Sequence, residues 1–453
     1  MTSTLAQSLT TPTPDPSPQG GGEGARRRGA CPGLSAPMQT GDGLLVRLRP
    51  IGTVSLAAFK NLCGAARQHG NGVIEVTARG SIQVRGLSAA TAPRFADAVA
   101  SFGIAAEDGI PIISNALSGL DPDELIDASA LAAELRCALG RTSLPDSLAP
   151  KVSVAIDGGG ALGLGTLSAD VRLRAELING GVALRVSVGG DGANATPLGT
   201  IMPPYCTEAA IRLLEGIARR GRDARARDVL AAEGSEPFRQ AVGELLLTST
   251  HPRESGDPEL DSRFRGNERK MATGRHSLRD GLYAHGIGLA FGHAEAMTLE
   301  RLADAMEAAG SLGIRIAPSR ALIAIGLRRE SAMAFAAAAE RLGFIVRADD
   351  PRRYVIACAG APICASAHIP ARTMAPRIAE IAAPYLGDSF KIHVSGCAKG
   401  CAHAAPAALT VVGTPAGFAL VANGSARGEP FAVVAADQLP DAIVNAARKA
   451  RHV

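Results

Sequence analysis

The chain has no tryptophan, only four tyrosines and eleven phenylalanines, so aromatic side chains make up 3% of it. Platforms on which bases could stack are therefore scarce. Charge of one sign is not in excess either: 47 Lys and Arg stand against 43 Asp and Glu, a net +4. That is too weak a field to gather a polyanionic backbone, and no nucleic-acid partner is expected. No run reaches the ~18 uninterrupted apolar residues of a membrane span, and residues 1–40 lack the apolar centre of a secretory signal. The expectation is a soluble, cytoplasmic protein with no membrane partner. Cysteine is sparse too, eight in 453 residues. In a long chain without an export signal these should be reduced thiols, so a paired spacing among them points to metal binding or catalysis rather than to disulfides.

What is present is apolar residue, 46% of the chain, enough for two to four compact units. Two segments, 11–29 and 249–277, are rich in Pro, Gly and charge without a sustained apolar period, and are expected to be disordered inserts. The second divides two copies of one large unit. Lys151-Val-Ser-Val-Ala-Ile-Asp-Gly-Gly-Gly160 lies over Lys391-Ile-His-Val-Ser-Gly-Cys-Ala-Lys-Gly400 at an offset of 240, and VTARGSIQVRGL (76–87) lies over IAPSRALIAIGL (316–327) at the same offset. In each copy a glycine-flanked strand, a helical stretch and two short strands meeting at an Arg-bearing turn suggest a small α+β half-domain. A lobe follows, with a helix (123–139; 371–383), a β-branched strand ending in glycines (151–160; 391–400) and a strand pair (170–188; 409–421).

Four cysteines form C-x5-C (Cys358, Cys364) and C-x3-C (Cys397, Cys401) in the second lobe. Two loops supplying two thiolates each can converge on a [4Fe–4S] cubane, while Gly360, Pro362, Gly396 and Gly400 let the backbone turn closely around it and offer N–H groups to sulfur. A structural Zn(Cys)₄ site is the alternative, although zinc pairs normally sit at C-x2-4-C. Cys31, Cys63, Cys137 and Cys206 are scattered singly and are given no chemistry.

C-x5-C followed by SGC-x-x-GC, preceded by a duplicated Arg-bearing half-domain, resembles the sulfite/nitrite-reductase superfamily over about residues 41–245 and 278–450. The resemblance implies an α+β, internally duplicated architecture of two ferredoxin-like half-domains (41–100, 278–345) and two α/β lobes (101–247, 346–453), with 1–40 and 248–277 outside the fold. Cys31-Pro-Gly-Leu34, Thr40-Gly-Asp-Gly-Leu-Leu-Val-Arg47 and Ser395-Gly-Cys-Ala-Lys-Gly-Cys-Ala-His403 are most similar to a branch of cobalamin synthesis. That branch uses O2 to hydroxylate precorrin-3A and closes a lactone on it, giving precorrin-3B. The resemblance places Cys401 nearest the tetrapyrrole; a separate NAD(P)H-dependent reductase or ferredoxin is expected as electron donor, because no dinucleotide site is read in this chain, and a mononuclear non-haem iron is left open. In the superfamily's reductases the cysteine matching Cys401 ligates sirohaem iron as well.

A polycarboxylate tetrapyrrole needs fixed cations, preferably arginine, whose planar fork binds carboxylate bidentately. Arg79 and Arg320 in the symmetry-related turns, Arg47 and Arg49 on the opening strand, Arg85, and Lys151 and Lys399 at the lobe loops are the candidates; taken singly, each could be an ordinary solvated charge. Arg47, Arg79, Arg85, Lys151 and Arg320 are assigned to the tetrapyrrole. His403 and Lys399, flanking Cys401, are assigned to catalysis; His368 and His393 look like supporting or surface residues. Sulfite reductases carry a second lysine where this chain has Ser153, which weakens oxyanion reduction. Gly158-Gly-Gly160-Ala-Leu-Gly163 spells G-x-G-x-x-G, but no helix follows it, so a dinucleotide site is not expected. The rival readings are a sirohaem sulfite or nitrite reductase and a non-catalytic Fe–S electron carrier; a bare carrier would not need two large lobes and a ring of arginines.

Overall fold

The computed structural model describes residues 32–107, 109–247, 272–403 and 405–451. The segment 11–29 and residues 249–271 of the second expected insert lie outside the described residues. The end of that insert is folded, which corrects its boundary: Gly274–Ser277 is a strand paired antiparallel with Tyr283–Gly288. Met38–Thr40 likewise pairs with the start of Gly43–Leu48, so the first half-domain begins before residue 41. Both are edge strands, held by backbone hydrogen bonds on one side, and such strands need no apolar alternation to be recognised by.

The expected duplication is seen as four sheets. The first half-domain orders Met38–Thr40, Gly43–Leu48, Ile82–Leu87, Val73–Val76 and His293–Glu295; the second orders Gly274–Ser277, Tyr283–Gly288, Ala321–Leu327 and Gly313–Ala317. Each lobe has five strands, three parallel and then an antiparallel pair: Ile112–Ser114, Val154–Asp157, Val171–Ile178, Gly181–Val188 and Thr196–Ile201 in the first, and Val355–Ala357, Ile392–Ser395, Ala407–Thr414, Gly417–Gly424 and Ala432–Val434 in the second.

Alternation of side chains along the half-domain strands sets their two faces. Ile74, Val76, Ile82 and Val84, with Leu322 and Ala324, point to a layer of four helices, Leu56–His69, Thr91–Ser101, Ala296–Ala308 and Arg329–Arg341, in one core shared by both halves. Phe59, Phe95 and Phe335 are each about 1% exposed there, and truncating such a ring to alanine costs about 3–5 kcal/mol. Ser55 starts the first of these helices by accepting from the Ala58 N–H.

The halves are also stitched across the pseudo-twofold axis. His293–Glu295, from the second copy, completes the first copy's sheet beside Val73–Val76, and Val54 reciprocates by bridging to Ile314. The two hairpin tips meet where Ser319 N donates to Ala78 O at 2.9 Å.

Candidate active site

Opposite the helices, the first sheet forms the floor of a cavity of about 380 Å³ roofed by loops of both lobes. Four side chains cross this floor in register on adjacent strands: Arg47 opposite Gln83, Gln83 opposite Glu75, and Glu75 opposite His293. With its amide oxygen toward Arg47, Gln83 accepts from Arg47 Nε at 3.1 Å while its nitrogen donates to Glu75 at 3.1 Å. Glu75 also accepts from Arg372 Nη2 at 2.5 Å and lies 3.7 Å from Arg85. Among the described lining residues, seven arginines and Lys151 face this one carboxylate. Arg372 keeps two buried guanidinium nitrogens, Nε and Nη1, without a protein acceptor among the described residues. A concave wall of this kind is built for a ligand with several carboxylates.

Some cations are anchored from behind, so that each holds a fixed direction. Arg85 is gripped bidentately by Asp42 (2.9 and 2.8 Å); burial is the largest single influence and pulls its basicity down, but Asp42, Glu75 and Cys364 together raise it. Burial pushes the Asp42 carboxyl up, but Arg85 and the Thr40 hydroxyl together keep it below its usual range. Arg225 is held bidentately by Asp170, and Arg49 by a single Nε contact to the Glu107 carboxylate and by the Gly109 carbonyl. Arg79 donates to Ser153 Oγ (3.2 Å) and to the Ser168 carbonyl (3.1 Å). Ser153 is fully buried and supports Arg79 from below.

Arg320 is set differently. It and Ser319 have φ of 62° and 65°, and at the repeat offset Arg320 occupies the place of Gly80, whose φ is 74°. A non-glycine residue in this region costs of order 1–3 kcal/mol and persists where function requires it. Its Nη2 donates to the Ala402 carbonyl beside Cys401. Burial holds its basicity below the ordinary value. Gly292 makes room for it, since a Cβ there would lie 2.7 Å from Arg320 Cδ.

Cys358 and Cys401 open onto the cavity. Cys358 Sγ accepts the Gly396 N–H at 3.1 Å, and the His368 N–H donates to the Gly396 carbonyl, so the two cysteine loops face one another. Burial pushes the Cys358 thiol up, as do Cys401 and Cys397; burial pushes Cys401 up too, reinforced by Cys397 and Cys364. All four sulfurs thus share one electrostatic neighbourhood. The backbone is cut to fit them: a Cβ at Gly41 would lie 2.8 Å from Cys364 Sγ, and Gly360 and Gly400 have φ of 69° and 62°. Among the described residues no three His, Cys, Asp or Glu side chains gather as a site for a single metal ion. Four thiols on two facing loops, with N–H donors to sulfur and glycines beside them, fit an iron–sulfur cubane.

Residues 36–102 match the nitrite/sulfite reductase ferredoxin-like half domain. A precorrin-3B synthase of Sinorhizobium sp. is 40% identical over 426 residues, 94% of this chain and 89% of its own. The chain belongs to the precorrin-3B synthase family. The NirA protein of Mycobacterium tuberculosis shares the fold, with a TM-score of 0.69 over 90% of this chain and 80% of its own at 20% identity.

Of the residues singled out from the sequence, Arg47, Arg79, Arg85, Lys151, Arg320, Cys358 and Cys401 all line this family member's cavity. Lys399 and His403 are not among its lining residues. Lys399 is exposed and donates to Ser366 Oγ at 2.9 Å, while His403 approaches the Pro406 carbonyl (3.4 Å) and packs edge-on against His393. Of this loop, Cys401 and Ala402 reach the cavity, while Lys399 before them and His403 after them turn away from it. Arg225, Arg372, Glu75, Gln83 and His293 were not singled out. His293 reaches the cavity only through the strand exchange.

Proposed function

We propose that the chain catalyses the O2-dependent hydroxylation of precorrin-3A with lactone closure to precorrin-3B, with a [4Fe–4S] cluster on Cys358, Cys364, Cys397 and Cys401. The observation that carries this reading is the cavity itself, in which eight cations and one carboxylate adjoin two of the four thiols. A bidentate charge-assisted contact contributes about 1.5–3 kcal/mol, so a few such pairs orient a polycarboxylate macrocycle firmly. A cluster bound at the thiols would supply electrons one at a time from a separate NAD(P)H-dependent reductase or a ferredoxin. Arg320 and Arg372 grip carboxylates next to the cluster loops, and Ser153 fixes Arg79 against the opposite wall. No described helix is long and apolar enough to cross a membrane, in keeping with the cytoplasm as the place of work.

Anaerobically purified protein should contain about four iron and four labile sulfide per chain, show no macrocycle absorption bands, and consume O2 when given precorrin-3A and reductant. Stoichiometric sirohaem with six-electron reduction of sulfite or nitrite would overturn this assignment in favour of a sirohaem reductase.

A further inference from the structure

The reaction proposed above adds one atom of O2 to the ring and releases the other as water, using two electrons from the external donor and two protons. His403 and Lys399, assigned to catalysis from the sequence, are not among the residues lining the cavity, whereas His293 is. It ends the four-strand rank on the floor and stands directly opposite Glu75. Charged groups meet it from every side. Glu75 faces it on the neighbouring strand and Arg372 on the helix Ala371–Ala382, Arg320 packs on the adjoining Gly292, and Glu295 lies two residues on in its own strand. Arg85 stands behind Glu75, and Glu75 is already engaged by Arg372.

We propose that His293 is the group that takes up a proton when a polycarboxylate macrocycle fills this cavity, and that it then holds that proton beside the bound ring. The inference rests on the reading of the cavity as a tetrapyrrole site. In the ligand-free protein, burial and the Arg372 guanidinium push the His293 ring down to about 4, so it is neutral. The penalty on its charged form comes from desolvation and from cations. Carboxylates that pair with those cations cancel the second part and reverse its sign, drawing a proton onto the ring. Binding and protonation are then linked: the ligand binds more tightly as pH falls toward 6, because the complex holds a proton that the free protein does not.

The decisive experiment is calorimetric titration of uroporphyrin, a stable octacarboxylate macrocycle, into the full chain at pH 6 and pH 8 in buffers of different ionisation enthalpy. About 0.5–1 proton should be taken up per ligand at pH 6 and almost none at pH 8. His293→Gln should lower the pH 6 uptake below about 0.2 while leaving affinity within tenfold at pH 8. Uptake that persists in His293→Gln, or binding with no uptake in the unaltered protein, overturns the inference and leaves the cavity reading intact. Absence of binding overturns both. Should the variant fold poorly, ¹³C-labelled histidine in the unaltered protein decides the matter: one ring must become protonated at pH 6 only when ligand is present, and its failure to do so overturns the inference.

Discussion

On the first half-domain the stretch 81–85 turns Ser81, Gln83 and Arg85 toward the lobes; at the repeat offset the second half-domain has Ala321, Ile323 and Ile325 in the same places. The first trio lines the cavity. The second is at most 4% exposed and packs against Ala116, Leu117 and Leu162 of the first lobe. The rest of the floor follows suit. Where Arg47, Glu75 and His293 stand in the open half, the closed half has Gly286, Arg315 and Thr53. A Cβ at Gly286 would collide with the Ala272 carbonyl, and Arg315 spends its donors on Thr53 Oγ1 and the Ala116 and Ser118 carbonyls. The lobes differ in parallel. At offset 240 Ser118, Glu124 and Asp157 replace Cys358, Cys364 and Cys397, and they tie their loops with local hydrogen bonds, Ser118 to Glu124, Asn115 to Asp157 at 2.8 Å and Leu164 N to Asp157 at 2.7 Å. A symmetric duplication thus yields one site, because in the other copy apolar packing closes the floor and a serine and two carboxylates stand where the second lobe has thiols.

The largest contrast to test lies between the lobes. Cys364→Ser or Cys397→Ser should abolish iron retention and turnover together. Ser118→Ala, at the place matching Cys358, should leave iron content unchanged and lower unfolding stability by about 1–2 kcal/mol, through the buried partners it strands. Iron analysis and denaturant unfolding of the three variants would check this; iron loss in Ser118→Ala would mean that the two lobes are not independent. Next come the floors. Ile323→Gln places an amide in a sealed apolar contact and should cost about 3 kcal/mol. Gln83→Ile sits on the open floor and should cost under about 1 kcal/mol. Equal losses by urea unfolding would contradict the open and closed assignment.

A third contrast concerns the turns. Arg320→Gly installs the residue that the repeat has at Gly80, relieving left-handed strain, so unfolding stability should hold or rise by up to about 1 kcal/mol. Uroporphyrin binding should weaken about 10- to 100-fold with the loss of a bidentate cation. A marked drop in melting temperature would show that Arg320 supports the fold rather than the ligand.

Much of this asymmetry is written in local sequence. The 240-residue offset sets SIQVR against ALIAI, and the cysteine spacing appears in one copy only, so the duplicated fold, the paired cysteine loops and six of the cavity's cations could be read from residue types and spacing. What escaped depends on long-range pairing. His293 carries no local signal, since its role follows from a three-residue strand crossing to the other half's sheet. The edge strands Met38–Thr40 and Gly274–Ser277 escaped because backbone pairing, not apolar pattern, holds them. Arg320 pairs with Arg79 only as a residue of the same turn; the 240-residue offset sets it over Gly80, and the backbone φ of both residues agrees.

The smallest contrast is within the helix-facing core, where Val46 of the first sheet, opposite Val84, corresponds to His285 of the second, opposite Ala324. His285 is 8% exposed, stacks edge-on against Phe335 and has neither ring nitrogen hydrogen-bonded among the described residues. Burial, together with His276 and Arg275, pushes it down to about 4. Between about pH 6.5 and 4 the unfolded chain therefore binds a proton that the folded chain refuses. This group's contribution to stability is complete above the unfolded value and is lost as pH falls toward the folded one. From pH 8 to pH 6 that loss amounts to about 1 kcal/mol. His285→Val should remove it, so that the variant's stability falls less than that of the unaltered protein over this range. A slope remains, because His293 and His393 are also pushed down to about 4 and keep titrating. Urea unfolding of both proteins at pH 8 and pH 6 measures the difference directly. An unchanged slope would mean that His285 finds water or a hydrogen-bond partner, and that the second half's core is wetter than its apolar packing implies.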